Sequence, residues 1–191
     1  MAARRSKLII LGIAISTLAL HAQKGTPGSP GCGAPKEKFD VSTGASQTAA
    51  KAGTDQALIY FIQDDSRFDT RPRPTTRIGL DGAWAGATGG GSYFVFPVSA
   101  GIHHICASWQ GSGPGRIAAS VLGAGSSYLS KEAATSFTAE PGGVYYFVAK
   151  NTYLHREHDS DTLELKLDQV NNDQGQLLVN KRKLCTATKK N

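Results

Sequence analysis

Apolar and polar positions alternate with a period of two over much of this chain. Leu163, Leu165 and Leu167 fall on one side of an extended backbone, and Glu164, Lys166 and Asp168 on the other. That is the pattern of a half-buried strand in an antiparallel sheet. Residues 57–62 (Ala-Leu-Ile-Tyr-Phe-Ile) are apolar on both faces and predict a central strand. Arg77–Leu80 and Ala83–Ala85 flank Asp81-Gly82, a dipeptide suited to a two-residue hairpin turn in which both positions take positive φ. Gly89–Gly91 turns the chain into a strand over Tyr93–Val98, and Ala100-Gly101 turns it back along Ile102–Trp109. Residues 110–127 are rich in Gly and Ser and read as a loop. Ser136–Glu140, Pro141-Gly142-Gly143 and Val144–Lys150 make another hairpin. One helix is predicted, capped by Asn171 with Gln174 three residues on, and carrying Leu177, Leu178 and Leu184. Lys181, Arg182 and Lys183 complement its C-terminal dipole. Gly175 inside it costs about 1 kcal/mol relative to Ala. The expected fold is all-β, an antiparallel β-sandwich of about seven to eight short strands with one C-terminal helix.

The two ends read differently. Arg4, Arg5 and Lys7 precede an apolar run from Leu8 to Leu20, and Ala22 is a small residue suited to precede a cut. Residues 1–22 therefore read as a signal peptide. The Arg-Arg pair does not extend into a twin-arginine motif. Residues 23–55 are dominated by Gly, Pro, Ser, Thr, Ala and Lys and read as a flexible linker or arm. Residues 56–185 form the expected sandwich domain, and residues 186–191 a basic tail. The expected location is extracytoplasmic: periplasm, cell envelope or secreted.

Composition agrees with a packed core. The chain has 191 residues, 40% hydrophobic and 19% charged, with 22 Gly. Its net charge of +6 is partly borne by the first 22 residues, which hold three of the 21 basic residues and no acids. That leaves 18 basic against 15 acidic residues, a net +3. Nucleic-acid binding thereby loses its main support, a dense basic face. No apolar run reaches about 18 residues, so no transmembrane span is expected in the mature chain.

Three cysteines, Cys32, Cys106 and Cys185, lie beyond the expected cut. Export permits a disulfide. Cys32–Cys106 is favoured, because it would anchor a Gly/Pro-rich segment and close a long loop worth about 4 kcal/mol in the chain-entropy model. Cys185 is the alternative partner, since connectivity does not follow from sequence. A lipid anchor at Cys32 is not expected: the residues His21 to Gly31 separate it from the apolar run, and Ser29-Pro30-Gly31 poorly matches a lipidation site.

Several segments occur in a telling order: residues 57–61 (Ala-Leu-Ile-Tyr-Phe), 77–82 (Arg-Ile-Gly-Leu-Asp-Gly), 91–94 (Gly-Ser-Tyr-Phe), 101–104 (Gly-Ile-His-His), 137–142 (Phe-Thr-Ala-Glu-Pro-Gly) and 144–147 (Val-Tyr-Tyr-Phe). This series resembles the bacterial envelope family called domain of unknown function 2846, over residues 56–180. Asp81-Gly82 with Gly101-x-His103 is also similar to surface-exposed PEGA-type β modules. The resemblance implies an all-β exported domain, lipid-anchored in many relatives, and carries no catalytic residue or cofactor. This chain departs from the lipoprotein relatives in lacking a lipid-attachment box.

The stretch from His155 to Asp161 is the most chemically loaded. His155 and His158 with Asp161 have side chains suited to Zn²⁺ or Cu²⁺. His103 or His104 could add a ligand, but in a hairpin loop His155 and His158 need not face the same way, and the spacing is not that of a zinc protease. His103 and His104 must point to opposite faces of a strand, as must Asp64 and Asp65. His104 and Cys106 share a face, a pairing that a disulfide would quench. A Gly-x-Ser-x-Gly elbow is absent, and Gly86–Gly91 and Gly111–Gly115 lack a following phosphate-binding lysine. Trp84, Trp109, Tyr93, Tyr145 and Tyr146 read as core aromatics, with a sugar or peptide platform as the alternative. Arg67, Arg71, Arg73 and Arg77 around Pro72 and Pro74 read as a basic loop at a sheet edge. These features favour a non-catalytic envelope binding or structural module without cofactor, its partner an envelope protein or glycan. The alternative is a metal-binding or hydrolytic protein using the His155–Asp161 loop.

Overall fold

A computed structural model of the chain describes residues 32–44, 50–69, 73–110, 129–130, 132–154 and 162–190. The expected signal peptide and the His155, His158 and Asp161 cluster lie outside the described residues. The described residues form strands β1 (Phe39–Thr43), β2 (Gln56–Phe68), β3 (Thr76–Leu80), β4 (Ala83–Thr88), β5 (Ser92–Ser99), β6 (Gly101–Trp109), β7 (Leu129–Ser130), β8 (Glu132–Ala139), β9 (Val144–Leu154) and β10 (Thr162–Val170). Helix α1 (Asn172–Asn180) and strand β11 (Lys183–Lys189) follow. Strand order is β1-β11-β5-β2-β9-β10-β7 in a seven-stranded sheet and β4-β3-β6-β8 in a four-stranded one.

The protein is all-β and sandwich-like, as its alternation predicts. Ile59, Phe61 and Phe147 of the large sheet meet Ile78, Ile105, Trp109 and Phe137 of the small one in a single apolar layer. The small sheet is wholly antiparallel. The large sheet is mixed: β2 runs parallel to β9, β11 to β5 and β7 to β10. Asp81 and Gly82 take φ of 50° and 84°, the pair of positive values that the β3–β4 turn requires.

Both flanks differ from their sequence reading. Part of the expected linker is strand β1, which pairs antiparallel with β11, and Cys32 is tied to the small sheet. The expected basic tail is also strand, because β11 continues through Lys189. Each segment is too polar to bury a face alone, and each supplies the other with a ladder of backbone hydrogen bonds. The helix starts where predicted, with Asn171 Oδ1 accepting the Gln174 N–H at 2.9 Å. It stops at Asn180, so Leu184 belongs to β11 instead.

Helix α1 lies on the outer face of the large sheet, where Leu178 and Val179 cover Ile62, Tyr146 and Val148. Arg182 fastens its end, donating from Nε to the Gln63 carbonyl at 3.0 Å and from Nη1 to the Leu178 carbonyl at 3.1 Å. Gly175 is buried, and a Cβ there would overlap the Tyr146 ring. The residue that weakens the helix by propensity is the one that lets it approach the sheet. Gly175→Ala is expected to lower unfolding free energy by about 1–3 kcal/mol, the usual range for overpacking, despite the better helix former. Urea denaturation measures this, and a raised midpoint would show that the helix stands clear of Tyr146.

Candidate functional site

Two polar arrangements are built into the described residues, one between the sheets and one on the outside of the small sheet. The inner one follows from the period-two pattern of β2 running past its apolar stretch. After Ile59 and Phe61, the same face carries Gln63 and Asp65, both buried. A bulge between Asp64 and Arg67 then returns Phe68 to the core.

The Asp65 carboxylate is the hub. Gln63 Nε2 donates to Oδ1 and Oδ2 at 3.0 and 2.9 Å, and Asn151 Nδ2 donates to Oδ1 at 2.6 Å. Asn151 also donates to Thr76 Oγ1 at 3.2 Å and accepts from Trp109 Nε1 at 2.7 Å. Thr88 Oγ1 donates to Gln63 Oε1 at 3.0 Å. Burial pushes the Asp65 carboxyl above the ordinary carboxylate range, against the lowering effects of the Asn151 and Gln63 hydrogen bonds and of the Arg73 charge. Trp109 and Thr88 of the small sheet donate to Asn151 and Gln63 of the large one, so the cluster aligns the two layers.

The outer arrangement holds the N-terminal segment. Cys32 and Cys106 form a disulfide, with Cα atoms 5.6 Å apart across 74 positions of sequence. Gly79 leaves space for it, since a Cβ there would meet the Cys32 carbonyl and the Cys106 sulfur. Arg77 is buried beneath the segment. Its Nη1 donates to the Pro35 and Glu37 carbonyls at 3.0 and 2.9 Å, and Nη2 to Ser108 Oγ at 3.1 Å. Its guanidinium sits 4.2 Å above the Trp84 ring, and Trp84 Nε1 donates to the Ala34 carbonyl at 2.8 Å. Burial draws the Arg77 pKa below its ordinary value, opposed by Glu132 and Glu37. The sequence reading starts a hairpin strand at Arg77 and also counts it in a basic loop at a sheet edge; it is on β3, as the hairpin requires, and its charge is held by carbonyls of the segment that covers it.

The remaining sequence candidates separate. His103 points inward and is held by Asp81 Oδ2, 2.6 Å from Nδ1, and by the Ser99 carbonyl, 2.8 Å from Nε2. Asp81 Oδ1 accepts the His104 N–H at 2.9 Å, so the residues clasp the β3–β4 turn. Asp64 faces outward and pairs with Arg182 at 3.4 Å, away from Asp65. Cys185 is the free cysteine among the described residues; burial pushes its thiol up. Trp109 is in the core, while Tyr60, Tyr93 and Tyr146 cluster under α1, with ring centroids 4.9 Å apart for Tyr60–Tyr146 and 6.1 Å for Tyr60–Tyr93.

The solvent-facing candidate for binding is a polar depression of about 440 Å³ on the outer face of the large sheet. Asp64, Arg67, Lys150, Glu164, Lys166 and Asp168 line it. Ion pairs join Lys150 to Asp168 at 2.6 Å and Lys166 to Glu164 at 3.1 Å. A face of both charge signs suits a polar partner better than an apolar ligand. Sequence reading missed Asp65 and Asn151 as a pair. The signal was there in part: both continue the inward phase of strands whose earlier inward residues are apolar. No protein-family model, curated protein or solved structure matches this chain.

Two outcomes test these arrangements. The native state holds the Asp65 proton more tightly than the unfolded chain does. Its contribution is therefore fully present below about pH 4, the ordinary carboxylate range, and is lost as pH rises through the elevated native value. Stability differences between the wild type and Asp65→Asn, from urea titrations at several pH values, should carry that slope; a difference independent of pH would remove Asp65 as its source. Replacing Cys32 and Cys106 together by Ser should lower stability by about 2–4 kcal/mol. Mass spectrometry after alkylation in denaturant should find one reactive thiol without reductant and three with it.

Proposed function

We propose that this protein is an exported, non-catalytic binding or structural module of the cell envelope. The observation that carries the reading is the Cys32–Cys106 disulfide, which joins the N-terminal segment to the sheet and is consistent with an oxidising compartment outside the cytoplasm. The signal-like residues 1–22 support the same direction. So does the resemblance to the envelope family, whose shared segments fall on β2, the β3–β4 hairpin, β5, β6 and the β8–β9 hairpin. The conspicuous polar side chains between the layers are engaged in holding the fold together: Asp65 binds Asn151, which bonds Thr76 and Trp109 of the other sheet, and His103 binds Asp81 and Ser99. The outward charges on β2, β9 and β10 are the ones placed to meet a partner, an envelope protein or a glycan.

Expression of the whole chain, followed by fractionation and N-terminal sequencing, tests the reading. The expected product lies outside the cytoplasm, starts at Gln23 and contains the disulfide. A reduced, uncut protein in the cytoplasm would overturn it. Metal analysis of the purified protein is expected to find no stoichiometric zinc or copper. Bound metal that is lost in His155→Ala and His158→Ala would replace this reading with a metal-binding one.

A further inference from the structure

Among the described residues, the large sheet tapers beyond β10 to the two-residue strand β7. Strand β7 pairs only with Leu163 and Glu164, and the chain then leaves to become β8 of the other sheet at Glu132. From Leu165 onward, the outer side of β10 has no strand partner among the described residues. A strand edge without a strand partner is a template for another strand. Leu167 adds an apolar component: it packs against the core cluster but stays partly exposed at the rim.

We propose that β10 is a dimerisation strand, in which two copies of this chain pair antiparallel about a two-fold axis at Leu167. The register follows from the charges. Paired residues in an antiparallel ladder share a face, so outward residues meet outward residues. A two-fold at Leu167 sets Lys166 of each copy opposite Asp168 of the other, Leu167 opposite Leu167, and Leu165 opposite Gln169. A two-fold at Lys166 would oppose Lys166 to Lys166 and Glu164 to Asp168, which like-charge repulsion disfavours. A two-fold at Leu165 would match Glu164 with Lys166, but it needs the edge at Leu163 and Glu164 that β7 occupies. An outward lysine on an open edge ordinarily discourages strand pairing. Here Lys166 and Asp168, paired with Glu164 and Lys150 within each copy, gain each other as additional partners across the axis of a self-complementary pair. The interface is isologous, as a closed two-fold dimer requires, and joins two large sheets into one. It also links the Lys150–Asp168 and Lys166–Glu164 pairs of each copy across the axis. A seam of few residues makes the dimer reversible.

Sedimentation equilibrium of the purified protein in the sub-millimolar range tests this, with circular dichroism confirming the fold of each variant. The wild type is expected as a concentration-dependent dimer. Lys166→Asp and Asp168→Lys should each weaken self-association on the order of tenfold or more, about 1.4 kcal/mol or greater. An equimolar mixture of the two variants should regain dimers containing one of each. In such a dimer the two carboxylates that the first variant carries at these positions face the two ammonium groups of the second. A wild type that stays monomeric throughout the range, single variants that dimerise as well as the wild type, or a mixture that stays monomeric would each overturn the proposal.

Discussion

A carboxylate enclosed between two sheets needs hydrogen-bond donors to offset the hydration it loses on burial. Asp65 obtains them from Gln63 on its own strand and from Asn151 on the neighbouring one. Asn151 in turn is bonded to Thr76 and Trp109 of the opposite sheet. Sliding one layer against the other would break several of these bonds at once and leave buried polar atoms unpaired. Apolar packing tolerates small displacements better, so the polar cluster sets the alignment that Ile59, Phe61, Ile105 and Phe137 then fill.

The ends of the described chain obey a related constraint. The segment from Cys32 to Phe39 crosses the small sheet with few large side chains to bury, and three different attachments hold it. The disulfide fixes its start, Arg77 and Trp84 bind its carbonyls, and Gln110 both accepts the Phe39 N–H at 2.6 Å and donates to the Phe39 carbonyl at 2.9 Å. Strand β1 then pairs with β11, so the first and last described strands share a ladder at the edge of the large sheet. A segment that would be an arm in isolation becomes part of the fold because its backbone groups find partners.

Among the described residues, the outside of the large sheet divides into an apolar part and a charged part. Helix α1 covers its tyrosine-rich part, and Gly175 permits that contact. The neighbouring part is charged, with both signs in alternation across β2, β9 and β10. Under the proposed function, binding through such a face would rely on placement of charge and on strand edges.

Much of the fold was legible in the residues. Alternation in Leu163–Asp168, the Asp81-Gly82 turn and the Asn171 cap each depend on local rules, and each took its expected form. The pattern also separated His103 from His104 and Asp64 from Asp65, since neighbours on a strand diverge. Other features required the assembled chain. Strands β1 and β11 are short and polar, and they become strands through pairing with each other and, for β11, with β5. The parallel pairing of β2 with β9 joins segments far apart in sequence, which no local signal encodes. Gly175 looked like a flaw in a helix until the Tyr146 ring was beneath it. Sequence alone determined the period-two strands and the turns, because backbone sterics and side-chain alternation act over a few residues. Tertiary structure alone decided the sheet order, the burial of Asp65 and Arg77 and the attachment of the flanks, because these depend on which distant groups are left to satisfy one another.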